Sequence, residues 1–182
     1  TSMDMAMPDP NGPSGAVDWN DFLRRTLPHV DVFLPSLEEL WLMLEPGEYK
    51  AWEASAGAER DAAAAADGEM LDRFAARLLA MGCAIAAIKL GDRGLYVRVT
   101  EDAARLARMG RCAVTDPGGW AGRRVLAPCY RVPVVGTTGA GDCTIAGFLA
   151  GLLQGWPLEQ TVAAAVAVGA FNVEAADATG GI

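Results

Sequence analysis

The sequence is poor in the side chains that build metal and nucleophile sites. Its one histidine is His29, and its four cysteines, at 83, 112, 129 and 143, form no C-x-x-C pair. A zinc site of the usual kind therefore lacks ligands, and any Ser-His-Asp or Cys-His mechanism has only His29 to draw on. The cysteines read as reduced, mostly buried thiols, and a cytoplasmic setting is expected. Positive charge is also scarce, with 15 Lys and Arg against 23 Asp and Glu, a net of −8. An acidic surface repels phosphate backbones, so broad nucleic-acid binding is not expected. Long apolar stretches are missing too. The longest, Cys143 to Leu153, is bounded by Asp142 and Gln154, well short of the ~20 residues that span a bilayer. No basic stretch precedes an apolar one, since the first basic residue is Arg24; neither a targeting segment nor a membrane partner is expected.

What remains is ample for a core. Of 182 residues, 52% are hydrophobic and 21% charged, a globular composition of one-domain length. Residues 1–7 read as the end of a strand, followed by a dense turn signal from Pro8 to Gly15. Asp18 is placed to cap a helix carrying Trp19, Phe22, Leu23 and Leu27, and Val30 to Leu34 reads as a short buried strand. Ser36-Leu37-Glu38-Glu39 has capping-box spacing before a helix with Leu40, Trp41, Met43 and Leu44, ended by Pro46-Gly47. Residues 51–81 are alanine-rich and helical, with a break near Asp67-Gly68. Ala84 to Leu90, the turn Gly91–Gly94 and Leu95 to Val99 form a strand–turn–strand signature. A short helix is expected at 101–109, a loop at 117–122, and a strand at Val132 to Val135, interrupted by Pro133. Two apolar helices follow, near 142–154 and 158–175. Strands alternating with helices predict a layered α/β fold with a largely parallel sheet.

The segment richest in chemistry is Gly139-Ala140-Gly141-Asp142, between an expected strand and an apolar helix. Glycines let the backbone approach a ligand. The helix start offers unpaired N–H groups and the positive end of the dipole, which suit phosphate or developing negative charge. A carboxylate beside an anion site needs a reason, and a base that takes a hydroxyl proton during phosphoryl transfer is one. The plainer reading is that Asp142 caps the helix and the glycines make the turn. No Gly-Lys-Ser/Thr follows, so this is not a Walker A loop. Thr144 stands where the dinucleotide pattern needs glycine.

Thr137-Thr138-Gly139-Ala140-Gly141-Asp142, followed by Ile145-Ala146-Gly147-Phe148, resembles the C-terminal signature of the PfkB (ribokinase-like) carbohydrate kinases. Pro35-Ser36-Leu37-Glu38-Glu39-Leu40 resembles the family's Pro-Asn-x-x-Glu-Leu element. Lys89 to Gly94 resembles its strand-turn before the nucleotide site, and Ala163 to Ala178 its closing helix and loop. The likeness spans most of residues 28–182. It implies a ribokinase-like three-layer α/β/α sandwich with a largely parallel sheet, in which 1–182 is the C-terminal portion of one kinase domain, the N-terminal part and lid being missing.

The resemblance further implies an ATP-dependent kinase that phosphorylates a hydroxymethyl group of a sugar or sugar-like substrate, nucleosides being open too since nucleoside kinases share the architecture. Asp142 would be the catalytic base, and the N–H groups of Ala140, Gly141 and Asp142, after Gly139, the anion hole. Glu39 would help hold Mg²⁺ through water. Lys89, Gly91 and Gly94 would lie along the ATP site, Thr137 and Thr138 would shape the loop under the phosphates, and Asn172 would lie near the adenine. For Lys89 a solvated strand-end lysine is the other reading. Two departures stand out: Ser36 replaces the usual asparagine, and Gly136 replaces an aspartate that helps form a monovalent-cation site, so K⁺ activation is not expected as a matter of course. Relatives often pair as homodimers through the lid region. Trp120 is open between a lid and a surface excursion, and His29 reads as a structural residue before a strand. Two alternatives remain in view. One is a degenerate, non-catalytic nucleotide-binding member; the other is a dinucleotide-dependent oxidoreductase, for which only Glu159 lies at a suitable distance after the glycines.

Overall fold

The computed structural model describes residues 1–9, 11–56 and 61–178. The chain divides into two compact units, 1–88 and 89–182.

In the first unit, strands β1 (Ser2–Met3), β2 (Val32–Phe33) and β3 (Ile85–Lys89) pair in parallel; the last residue of β3 opens the second unit. Ser2 and Met3 lie opposite Val32 and Phe33, which in turn lie opposite Ile85 and Ala86. Both faces of β2 and β3 are covered, so these strands read as unbroken apolar runs rather than as alternation. Parallel strands need crossover connections, and helices supply them here.

Helix α1 (Trp19–Thr26) starts where Asp18 accepts the Asp21 N–H at 3.0 Å, and buries Leu23 while Phe22 stays exposed. Helix α2 (Leu37–Leu44) opens on the expected capping box. Glu39 N–H donates to Ser36 Oγ at 3.3 Å, and Ser36 N–H donates to Glu39 Oε2 at 2.8 Å. It ends before Pro46, which does more than stop it: proline takes the first position of α3 (Pro46–Ser55), where its missing N–H costs nothing. The alanine run forms the single turn α4 (Ala62–Ala65), and Asp67 caps α5 (Gly68–Met81) by accepting from Met70 N–H at 2.8 Å. Glu45, just past the end of α2, accepts from Arg73 and Arg77 of α5 at 3.0 Å each. Leu27, Phe33, Leu40, Phe74, Leu78, Ile85 and Ile88 are wholly buried. Each stabilises the unit by about 1.5–3 kcal/mol relative to exposure.

In the second unit the turn after β3 closes as expected, with Leu90 N–H donating to Gly94 O at 2.8 Å around a single tight turn at Gly91–Arg93. Strand β4 (Leu95–Val99) pairs antiparallel with β5 (Arg124–Ala127). The expected strand at Val132–Val135 is not there. That stretch has no regular structure, and Val134 and Val135 are about two-thirds exposed. Pro133 has no N–H for a ladder, and the strand partner is Arg124–Ala127 instead. The helix α6 (Ala103–Ala107) is as expected. The expected loop at 117–122 is in part a helical turn, α7 (Pro117–Trp120), with Pro117 at its first position and Asp116 accepting from Gly119 N–H at 2.9 Å. Trp120 is 2% exposed, so it is a core residue and neither a lid nor a surface excursion. His29, by contrast, is exposed at the end of a short turn before β2.

Helices α8 (Ala140–Leu153) and α9 (Leu158–Val173) complete this unit and pack on each other very closely. A Cβ at Gly147 would lie 2.9 Å from Ala165 Cα, and one at Gly151 would lie 2.8 Å from Thr161 Cγ2. Among the described residues, no helix is long and apolar enough to cross a membrane.

The burial of Trp120 sets a stability prediction. Trp120→Ala is expected to cost about 3–5 kcal/mol in urea unfolding. Trp120→Phe should cost clearly less, because the indole N–H is buried without an acceptor and its removal relieves an unpaired polar group. A cost under about 0.5 kcal/mol for Trp120→Ala, the range of an exposed side chain, would contradict the core assignment.

Candidate functional site

The site is built where α8 begins. Val135 N–H donates to Val173 O at 2.8 Å, anchoring the incoming segment to the end of α9. The chain then turns at Gly139, whose φ of +83° is a left-handed conformation. A side chain is excluded there twice over, since a Cβ would also lie 2.5 Å from Ala178 O. Gly139 is the cap residue of α8 and has no side chain with which to satisfy the first turn. Cys143 N–H reaches Gly139 O at 2.8 Å, and Ala140 N–H makes a long bond to Thr137 O at 3.3 Å. Among the described residues, the N–H groups of Gly141 and Asp142 have no acceptor. That follows from helix geometry, which leaves the first turn's donors unpaired. With the dipole they form a site for negative charge.

Asp142 stands at the third position of α8 and is exposed. It does not cap the helix, because the cap position is Gly139. Among the described residues its carboxylate enters no hydrogen bond or ion pair. The plainer reading of Asp142 as a helix cap is thus not what the structure shows; the fold leaves this carboxylate uncommitted. Its charge is felt next door. The Cys143 thiol pKa is raised, first by burial and then by the Asp142 charge.

A cavity of about 570 Å³ opens beside this turn, lined by residues of the second unit alone. Lys89, Gly91, Gly94, Thr137, Ala140 and Gly141, all expected at the site, line it. Lys89 is half-buried, and its Nζ lies 3.7 Å from where a Cβ on Gly141 would sit. A cation thus lies beside the positive end of α8. Gly94, at φ +101°, is packed so tightly that a Cβ would run into Ala127 O.

Five expected residues do not line the cavity: Asp142, which follows Gly141 on the same turn, and Gly139, Thr138, Asn172 and Glu39. Gly139 and Thr138 shape the turn without lining the cavity, and Thr138 is exposed. Asn172 is wholly buried and donates to Asp177 O at 3.3 Å, so it ties down the segment after α9 and does not face the cavity. Glu39 belongs to the first unit, with one carboxylate oxygen held by Ser36 N–H. Ser36 itself works as a helix cap. Gly136 brings no carboxylate, and a Cβ there would already be 3.1 Å from Ala175 O.

The sequence reading missed the apolar wall, Val166, Gly169, Ala170 and Val173 on α9 with Val132 and Val134 facing them. The signal was present: the four α9 residues are spaced i, i+3, i+4, i+7, one helix face, and Asn172 is off that face. Tyr130, Arg131 and Cys129 also line the cavity. The Cys129 thiol donates to Gly91 O at 3.3 Å, and its pKa is raised, first by burial and then by Asp92.

The profile of the pfkB family carbohydrate kinases matches residues 1–182, and the chain belongs to that family. No curated protein matches it. Solved structures do. A probable sugar kinase from Rhizobium etli is 19% identical with a TM-score of 0.62, over 98% of this chain and 40% of that one. Aminoimidazole riboside kinase from Salmonella enterica, solved with aminoimidazole riboside and an ATP analogue, is 21% identical with a TM-score of 0.60, over 99% and 48%. Arabidopsis thaliana ribokinase, solved with ribose and ATP, is 18% identical with a TM-score of 0.62, over 98% and 42%. The fold is therefore ribokinase-like α/β, and the chain spans less than half the length of these structures.

The raised thiol pKa values carry a sign. Folding favours the protonated thiol, so Cys129 and Cys143 stabilise the fold below the ordinary cysteine pKa, and this contribution is lost as pH rises through their folded values. Alkylation requires thiolate. Mass spectrometry after iodoacetamide treatment at pH 8 should find both cysteines labelled more slowly than in the urea-unfolded chain, the difference narrowing above pH 9. Equal rates at pH 8 would contradict the assignment.

Proposed function

We propose that the chain carries the phosphoryl-donor half of an ATP-dependent kinase acting on a hydroxymethyl group of a sugar or nucleoside. The observation that carries this reading is the start of α8. Among the described residues the N–H groups of Gly141 and Asp142 have no acceptor and the Asp142 carboxylate no partner, while Gly141 and Lys89 line a cavity with an apolar wall. Membership of the carbohydrate-kinase family and the nucleotide and riboside named for the similar structures support it.

ATP is a substrate here, and the cavity suits it. Val132, Val134, Val166 and Val173 offer apolar surface to a base, and glycines at 91, 94 and 141 leave room for close backbone approach. Asp142 takes the proton of the acceptor hydroxyl. That oxygen forms a bond to the γ-phosphorus while the bond from phosphorus to the β-phosphate oxygen breaks, and ADP leaves. The N–H groups of Gly141 and Asp142, with Ala140 behind its long bond to Thr137, stabilise the charge on the transferring group. Among the described residues no three His, Cys, Asp or Glu side chains gather as a metal site. That agrees with Mg²⁺ arriving on the phosphates, since this ion keeps its waters and needs only one or two carboxylates.

A second reading is a member that binds nucleotide without turnover. It is favoured by Gly136, which offers no carboxylate.

The test is ATP consumption across a panel of sugars and nucleosides with Mg²⁺, on this chain and on the longest natural product that contains it. Asp142→Asn should lower kcat by about 10²–10⁴-fold with little change in ATP affinity. ATP binding with no turnover on any acceptor would select the second reading. Turnover unchanged in Asp142→Asn would remove Asp142 from the role of base.

A further inference from the structure

The first turn of α8 is held from behind in an unusual way. Thr144 Oγ donates to Ala140 O at 2.9 Å. Threonine hydroxyls often bond back to the carbonyl four residues earlier, and in mid-helix this does little. Here the carbonyl belongs to the first residue of the helix. The Ala140 C=O and the Gly141 N–H are two ends of one planar peptide unit. At the N–H end that unit has no acceptor among the described residues. Its orientation is therefore set from the C=O end, where the helix's own Thr144 N–H and the Thr144 hydroxyl both reach the oxygen, and the hydroxyl bond is the side-chain contribution that aims the Gly141 N–H.

Helix α9 is shaped around this bond. A Cβ at Gly169 would lie 2.3 Å from Thr144 Oγ and 3.3 Å from Ala140 O. Threonine is β-branched and stiff about its first side-chain torsion, so the hydroxyl could yield only by leaving Ala140. Ala140, Thr144 and Gly169 all line the cavity.

We propose that Thr144 is a positioning residue that orients the Gly141 N–H toward bound anionic ligand, and that Gly169 is its required partner, the position on α9 that leaves the hydroxyl room. The proposal rests on the reading of the α8 start as the phosphate site.

Two variants separate the bond from the space. Thr144→Val keeps the shape and deletes the hydroxyl. Gly169→Ala keeps the hydroxyl and crowds it. Titration calorimetry with ATP and Mg²⁺ should show binding weakened about fivefold by each, the worth of about one hydrogen bond. Tm should move by less than about 4 °C in Thr144→Val. Thr144→Ser should recover most of the affinity. Adding Gly169→Ala to Thr144→Ala should cost little more than Thr144→Ala alone, because the crowded atom is gone; two residues serving stability separately would add.

ATP binding unchanged in both Thr144→Val and Gly169→Ala would overturn the proposal and leave the kinase reading standing. Absence of ATP binding by the unaltered chain would count against the kinase reading instead. The positioning claim is then decided by the Gly141 amide resonance in ¹H–¹⁵N spectra: displacement in Thr144→Val and recovery in Thr144→Ser would support it, and a fixed peak would overturn it.

Discussion

The close approach of α8 to α9 is the contact on which the site depends. Glycines at 147 and 151 let the backbones come within van der Waals distance of Ala165 and Thr161. At the same interface Gly169 accommodates Thr144. Because a helix is stiff, fixing it at three points along one face also fixes where it starts, and the start is where its unpaired donors are. The cavity's apolar wall is the same α9, one face further round. Packing and ligand site thus share residues, and a change that separates the helices would alter both.

Electrostatics at the start of α8 set positive potential on an acidic protein. With a net charge of −8, long-range attraction for phosphate is absent. Positive potential is instead local, from backbone dipoles at the start of α8, from Lys89 close by and from Arg131 on the cavity wall. Fixed dipoles need no reorganisation when charge develops, which is the property a phosphoryl-transfer site uses. An exposed carboxylate at the third residue of a helix is also favourable to the helix itself. Asp142 therefore costs the fold nothing while remaining available for chemistry.

Local chemistry made much of the architecture legible. Asp18 and Ser36 each accept from the N–H three residues on, and each starts a helix as its spacing predicts; the break expected near Asp67 is a third such cap. The turn at Gly91–Gly94 and the glycine start of α8 were readable for the same reason, since backbone conformations closed to other residues leave few candidates. The strand at Arg124–Ala127 was not legible. Its alternation is weak, Leu126 is half exposed, and its structure comes from pairing with β4. Val132–Val135 misled because β-branched residues favour strands only where a partner strand offers its hydrogen bonds.

The site divides along the same line. The glycine turn and helix start at 139–142 were determined by the sequence, because left-handed backbone and an uncapped first turn declare themselves within a few positions; Lys89, Gly91 and Gly94 came only through the family resemblance. Tertiary structure alone decided the rest. It buried Trp120 and Asn172, both open to a surface or ligand role on paper. It brought Lys89 to Gly141 from some fifty residues away. It lined the cavity with one face of α9. Each of those outcomes rests on which groups lose contact with water, and that is settled only when distant segments meet.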